Sequence, residues 1–302
     1  SLVVTTADDI VDSSDGLTSL REALTFANDT PGVDTITFAT GPSQAFAGGG
    51  TIRLTQGELV ATEAVTITGL MDADGKPMIR ITGDAAGNDV LDANGNTDVA
   101  ASGAALLDDN SRVLNVTSPD GTTTLTGLII TGGRTTAYFA EGGGIASFGT
   151  TALTSSTVSG NSTSGDFARG GGIRSTNTTL TNSTVSGNST SGDNAVGGGI
   201  SSLDNTTLTN STASGNSTSG GRASGGGIFS FDNTTLTNST VSGNSTSGFA
   251  GSGGGIYSRG DTTLTNSIVL GNDSAQTTFD EIRSDFGATT TTGLNIVGVG
   301  GD

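Results

Sequence analysis

The chain has 302 residues, a formal net charge of -18, 50 glycines, a single lysine, Lys76, and no Cys, His or Trp. That balance argues against nucleic acid as a partner and against anionic membranes, because both are approached through a basic stripe. No run reaches the roughly 18 apolar residues of a membrane span, so no membrane insertion is expected. Without Cys or His there are no disulfides, no thiolate chemistry and no sites of the usual zinc type. No signal peptide is read, and the start at Ser1 without Met fits a processed or excised chain.

Residues 1–40 read as an N-terminal cap. In "TSLREALTFAND" the spacing predicts a helix over 18–29, with Ser19 and Glu22 as a capping box, Leu20, Ala23, Leu24 and Ala27 as one apolar stripe, and Pro31-Gly32 as the stop. Such a helix would cover the first open rung of a sheet. Residues 41–141 read as irregular coils whose strands include "AVTITGL", "PMIRITGD" and "RVLNVTSPDGTTTLTGLIITGG", interrupted by a long loop at 85–110. Residues 142–282 carry the regular repeats and 283–302 a last coil, all in one continuous domain.

The regular part sets the fold. Gly-Gly-Gly-Ile recurs with its isoleucine at Ile145, Ile173, Ile200, Ile228 and Ile256, a period near 28 residues that marks a solenoid. Thr179 and Thr181 flank Leu180, and Thr184 and Ser186 flank Val185, the alternation of strands with one wet face. Leu180 and Val185 are five apart, so both point inward only if the chain bends between them. Asn182 sits at that bend, where a left-handed backbone suits asparagine. Stacked coils lie about 4.8 Å apart, so Asn182, Asn210, Asn238 and Asn266 form one expected ladder, and Asn161, Asn188, Asn216, Asn244 and Asn272 a second. The reading is all-β: a right-handed parallel β-helix of three strands per coil, with asparagine ladders and a short N-terminal capping helix.

Two stretches carry a resemblance. "VTTADDIVDSSDGLTSLREALTFANDTPGVDTITF" resembles the N-terminal domain of secreted bacterial β-helix proteins named for a Cys-Ser-Leu-Arg-Glu-Ala stretch, with Thr18 at the Cys position. Gly-Gly-Gly-Ile paired with "VSGN" is similar to the repeats of autotransporter passengers of the polymorphic membrane protein type, with Val in place of Phe. The resemblance implies an extracellular or bacterial cell-surface protein, often adhesive.

The chemistry on offer is sparse. "DADG" and "DANGNTD" place Asp72, Asp74, Asp92, Asn94, Asn96 and Asp98 at alternate positions, as oxygen-only calcium loops do; ordinary Asp/Asn turns explain them equally. No cofactor is required on this reading, and calcium is the one ion the residues admit. Polysaccharide lyases and related enzymes share the architecture, and Arg134, Arg169 and Arg222 precede Gly-Gly-Gly steps, but solvated loop charges are the plainer reading. Asp204 and Asp232 fall at equivalent places in adjacent coils. Thr-X-Thr pairs such as Thr179/Thr181 and Thr207/Thr209 resemble ice-binding faces, although threonine also simply suits a wet strand. At the far end, Leu294, Ile296, Val297 and Val299 form an uncovered strand edge. The expected function is a noncatalytic structural or adhesive β-helix that stacks on copies of itself into a filament. A polysaccharide-binding or polysaccharide-cleaving β-helix and an ice-binding protein are the alternatives.

Overall fold

Short strands with one or two inward residues each are what the repeat encodes, and four of them occur per coil. In one coil they are Ile173–Ser175, Asn177–Thr181, Thr184–Ser186 and Ser189–Ser191. Each pairs in parallel with its counterpart one repeat later, placing Ile173 on Ile200, Leu180 on Leu208, Val185 on Ala213 and Thr190 on Thr218. The structure, a computed structural model, describes residues 2–93, 95–275 and 281–298. It is a parallel β-solenoid of about nine turns with about 28 residues per turn. The expectation of three strands per coil is corrected by Ser189–Ser191 and its equivalents, which carry no aliphatic residue and turn a threonine inward instead.

Three columns of fully buried aliphatics fill the core: the isoleucines of the Gly-Gly-Gly-Ile strands, the leucines of the threonine-rich strands, and Val158, Val185, Ala213, Val241 and Val269. Each such side chain contributes roughly 1.5 to 3 kcal/mol, against an ordering cost of about 1 to 2 kcal/mol per residue. A single coil therefore depends on its neighbours.

Polar ladders complete that dependence. Asn188 Nδ2 donates to Asn216 Oδ1 at 2.9 Å and to Val158 O at 3.0 Å, and Asn188 N donates to the same Oδ1 at 3.0 Å. The pattern runs from Asn161 to Asn272, where Glu281 ends the row by accepting from Asn272 Nδ2 at 2.6 Å and from Gly271 N at 2.8 Å. Glycine is required beside this row, because a Cβ on Gly172 would lie 2.9 Å from Asn188 Cγ. The second ladder is exposed. Asn182, Asn210, Asn238 and Asn266 all have φ near 50°, and Asn210 and Asn238 donate to the preceding asparagine at 3.3 and 3.2 Å.

Three further rows were not expected. Asn177, Asn205 and Asn233 form a third asparagine ladder, closed by the N–H of Asp261. Ser183, Ser211, Ser239 and Ser267 each accept the N–H of the equivalent residue one coil earlier. Inside one corner, Thr178, Ser202, Thr206, Ser230, Thr234 and Ser258 link hydroxyl to hydroxyl at 2.7 to 3.3 Å. The fourth-strand hydroxyls of Thr163, Thr218 and Thr246 are buried without a protein partner.

The helix Leu20–Asn28 has its capping box formed by Ser19 and Glu22, and its four stripe residues join the core. Arg21 fixes it in place, paired with Asp9 at 2.7 Å and donating to Gly57 O and Glu58 O. The stretch read as a plain loop at 85–110 contains a second helix, Val99–Leu106, whose start is held by Ala101 N donating to Asp98 Oδ1 at 2.9 Å. Its small residues make no apolar stripe, which is why periodicity misses it.

Asn216→Ala removes an acceptor for two buried donors and a donor for Val185 O. At about 1 to 3 kcal/mol per unmet group, chemical denaturation should show a loss of about 3 kcal/mol or more. Asn210→Gly keeps the left-handed corner and should change stability by under about 1 kcal/mol.

Candidate functional site

Against this invariant frame, one column changes from coil to coil. On the outer side of the Gly-Gly-Gly-Ile sheet, Ala146, Arg174, Ser201, Phe229, Tyr257 and Arg283 stack in register. The next corner contributes Phe148, Phe231 and Arg259, and the turn before the glycines contributes Glu141 and Arg169.

These side chains assemble an arginine–aromatic face. Phe229 stacks on Tyr257 at 5.0 Å between ring centroids and meets Phe231 edge-on at 4.9 Å. The guanidinium of Arg259 lies 4.7 Å above the Phe231 ring and that of Arg169 lies 5.5 Å from it. Arg174 covers Phe148 at 4.8 Å and Arg283 covers Tyr257 at 5.1 Å. Cation–π contacts of this kind contribute about 0.5 to 2 kcal/mol and fix the guanidinium plane.

The partners of the arginines differ. Arg112 pairs with Glu58, Arg174 lies 3.1 Å from Glu141, and Arg283 pairs with Asp285 at 2.7 Å. Burial lowers the Arg174 pKa from its ordinary value, opposed by the charge of Glu141. Arg169 and Arg259 neither donate a side-chain hydrogen bond nor close an ion pair among the described residues, so their N–H edges remain open beside Phe231.

A second aromatic group adjoins the same turns. Tyr138, Phe139 and Phe167 pack with centroids 4.5 to 5.5 Å apart. Phe139 and Phe167 have φ of 60° and 62°, a conformation costing a bulky residue roughly 1 to 2 kcal/mol. Phe167 is two residues before Arg169.

The residues singled out from the sequence lie elsewhere. Asp72 Oδ1 accepts the N–H groups of Asp74 and Lys76, and Asp92 Oδ1 accepts that of Asn96, so both serve their own turns. Asn96 Oδ1 accepts from Arg80, and Asp98 starts the second helix. Asn94 lies outside the described residues. No group of three acidic side chains arranged to hold a metal occurs among the described residues. Arg134, Arg169 and Arg222 occupy three different columns: Arg134 pairs with Ser162 in the fourth sheet, Arg222 sits on an exposed left-handed corner, and only Arg169 joins the arginine–aromatic face. Asp204 and Asp232 do stack, with Asp232 N donating to Asp204 O.

At the far end Leu294, Ile296 and Val297 are exposed, Leu294 at 83%, and Val299 lies outside the described residues. At the opposite end the helix Leu20–Asn28 packs over the core. The Thr-X-Thr column is longer than expected. It runs in register from Thr35/Thr37 through Thr66/Thr68 and Thr124/Thr126 to Thr290/Thr292, broken only at Ala152.

Tyr257 offers a direct probe of the arginine–aromatic face. Burial and its hydrogen bond to Asp285 raise its pKa to about 12. Burial alone would raise Asp285 too, but the bonds from Tyr257 and Arg283 hold it below the ordinary value. A raised phenol favours the folded state below its unfolded value near 10, and that contribution disappears as pH rises through about 12. Ultraviolet titration of Tyr138→Phe should therefore show one phenol ionising near 12, and Asp285→Asn should lower that midpoint.

The profile described as "Right handed beta helix region" matches residues 112–297, more than half of the chain. Comparison with curated proteins and with solved structures gives no match. That match, together with the repeat and the parallel pairing, makes this chain a member of the right-handed β-helix family.

Proposed function

We propose that the protein is a noncatalytic extracellular rod that adheres to an acidic polysaccharide through its arginine–aromatic face. The observation that carries this reading is the pair of guanidiniums, Arg169 and Arg259, held over Phe231 and closing no ion pair among the described residues. In a chain of net charge -18, open guanidiniums stacked on a ring supply the chemistry that uronate sugars need. The planar N–H edge of each ring-stacked guanidinium takes a uronate carboxylate in two parallel bonds. Extracellular placement at a bacterial surface rests on the resemblance of the N-terminal stretch and the repeats.

Affinity electrophoresis and calorimetry of the whole chain with a polyuronate and a neutral glucan test this. Binding to the polyuronate alone is expected, with Phe231→Ala and Arg169→Gln/Arg259→Gln each weakening it by about tenfold or more. Equal retention by both polymers, or unchanged binding by the variants, refutes the face. Release of unsaturated uronates during the same incubations refutes the noncatalytic part.

A second reading rests on the Thr-X-Thr column, eight pairs in register broken once at Ala152, a regular array that could match a regular lattice such as ice. Thr181→Tyr/Thr209→Tyr should then abolish crystal shaping by the parent chain. Absence of shaping by the parent removes this reading.

A further inference from the structure

Away from the arginine–aromatic face, the capping helix Leu20–Asn28 carries a phenylalanine on the side it does not bury. Leu20, Ala23, Leu24 and Ala27 make its contact with the core. Glu22, Thr25, Phe26 and Asp29 recur at i, i+3, i+4 and i+7, so they share the outward face. Phe26 is 48% exposed there, Leu17 of the preceding loop 47% and Val11 63%. These three apolar residues line one open groove of about 530 Å³ together with Asp12, Glu22 and Asp29.

Hydrogen bonds within the chain hold the loop against the helix. Asp12 N donates to Glu22 Oε1 at 2.7 Å, and Ser19 Oγ donates to Ile10 O at 2.6 Å. Inside the loop, Asp12 Oδ1 accepts from Ser14 N and Ser14 Oγ, and Asp15 Oδ1 accepts from Leu17 N. Its end is tied down where Thr18 N donates to Thr5 Oγ1 at 2.7 Å and Thr5 N donates to Thr18 O at 2.8 Å. A groove formed in advance spares its occupant much of the cost of ordering.

Charge selects that occupant. Residues 1–40 hold seven acids and one base, Arg21, whose guanidinium is already closed by Asp9, Gly57 O and Glu58 O. The bonds from Ser14 keep the Asp12 carboxyl below its ordinary value, which preserves its charge. Anionic lipid, nucleic acid and the uronate polymers suited to the arginine–aromatic face are repelled here, and an uncharged apolar ligand makes no use of the carboxylates.

We infer that this groove docks a basic, apolar peptide segment of a partner protein. Leu or Phe side chains of the segment pack on Val11, Leu17 and Phe26, and flanking Lys or Arg meet Asp12, Glu22 and Asp29. Covering the exposed apolar side chains supplies affinity, while the acids set orientation and encounter rate.

The test is fluorescence anisotropy of the whole chain at physiological salt with a short labelled peptide of Lys, Leu and Phe. Two control peptides carry Glu in place of Lys, or Ser in place of Leu and Phe. Saturable binding of the first peptide alone is expected, with Phe26→Ser and Leu17→Ser each weakening it about tenfold. Both side chains are half exposed, so both variants should melt with the parent; if Phe26→Ser melts lower, Leu17→Ser on the loop decides. Asp29→Asn should weaken binding several-fold, whereas Asp273→Asn, an equal change of charge on the last strand of the fourth sheet, should leave it unchanged. Amide exchange should show protection by the peptide within residues 10–29. Equal binding of the Ser peptide, equal losses in Asp29→Asn and Asp273→Asn, or binding untouched by the serine variants reduces the effect to attraction by net charge and overturns the proposal. Absence of saturable binding, or protection centred elsewhere on the solenoid, overturns it too.

Discussion

The side-chain amide of Asn188 reaches both neighbouring coils at once. It accepts from Asn161 above, donates to Asn216 below, and donates again to the carbonyl of Val158. Shielded from water, none of these groups can be left unmatched at low cost. The coils must therefore stack in one register, and that register then aligns the leucines, the exposed threonines and the positions on the arginine–aromatic face. The hydrophobic effect supplies the driving force for burial, but it is indifferent to a sideways slip of Leu180 over Leu208. The amide row is not, because a slip leaves its donors without acceptors.

Much of this was legible in the letters. The 28-residue spacing, the odd step from Leu180 to Val185 and the asparagine at each bend fix a parallel solenoid without coordinates. The fourth strand was not legible, because Ser189–Ser191 has no aliphatic residue to announce it and Thr190 resembles any surface threonine. The hydroxyl rows escaped for the same reason: serine gives no sequence signal that separates an inward position from an outward one. The second helix, Val99–Leu106, lacked amphipathic spacing.

The arginine–aromatic face was hidden by distance along the chain. Arg169, Phe231 and Arg259 are far apart in sequence and meet only because the strands stack. A signal for it did exist. Once the repeats are superimposed, the residue after each Gly-Gly-Gly-Ile reads Ala, Arg, Ser, Phe and Tyr, whereas its surroundings scarcely change. In a chain whose repeated letters are explained by architecture, the letters that refuse to repeat are the place to look for recognition. The turn aspartates attracted attention because their pattern was local, and local patterns are what a turn produces.

The ladders also govern how such a protein changes in length over generations. The step from Ile173 to Ile200 is one residue shorter than its neighbours. The shortfall falls in the corner where Thr176 alone stands opposite Leu203 and Asp204, both of which hydrogen-bond back to the coil above. A one-codon deletion is absorbed there, where no amide row passes. The same deletion between Leu180 and Asn188 would break two rows together. Duplication of a whole coil leaves each row intact and adds one more position to the variable column. The gene can thus lengthen the solenoid and extend the arginine–aromatic column in the same event.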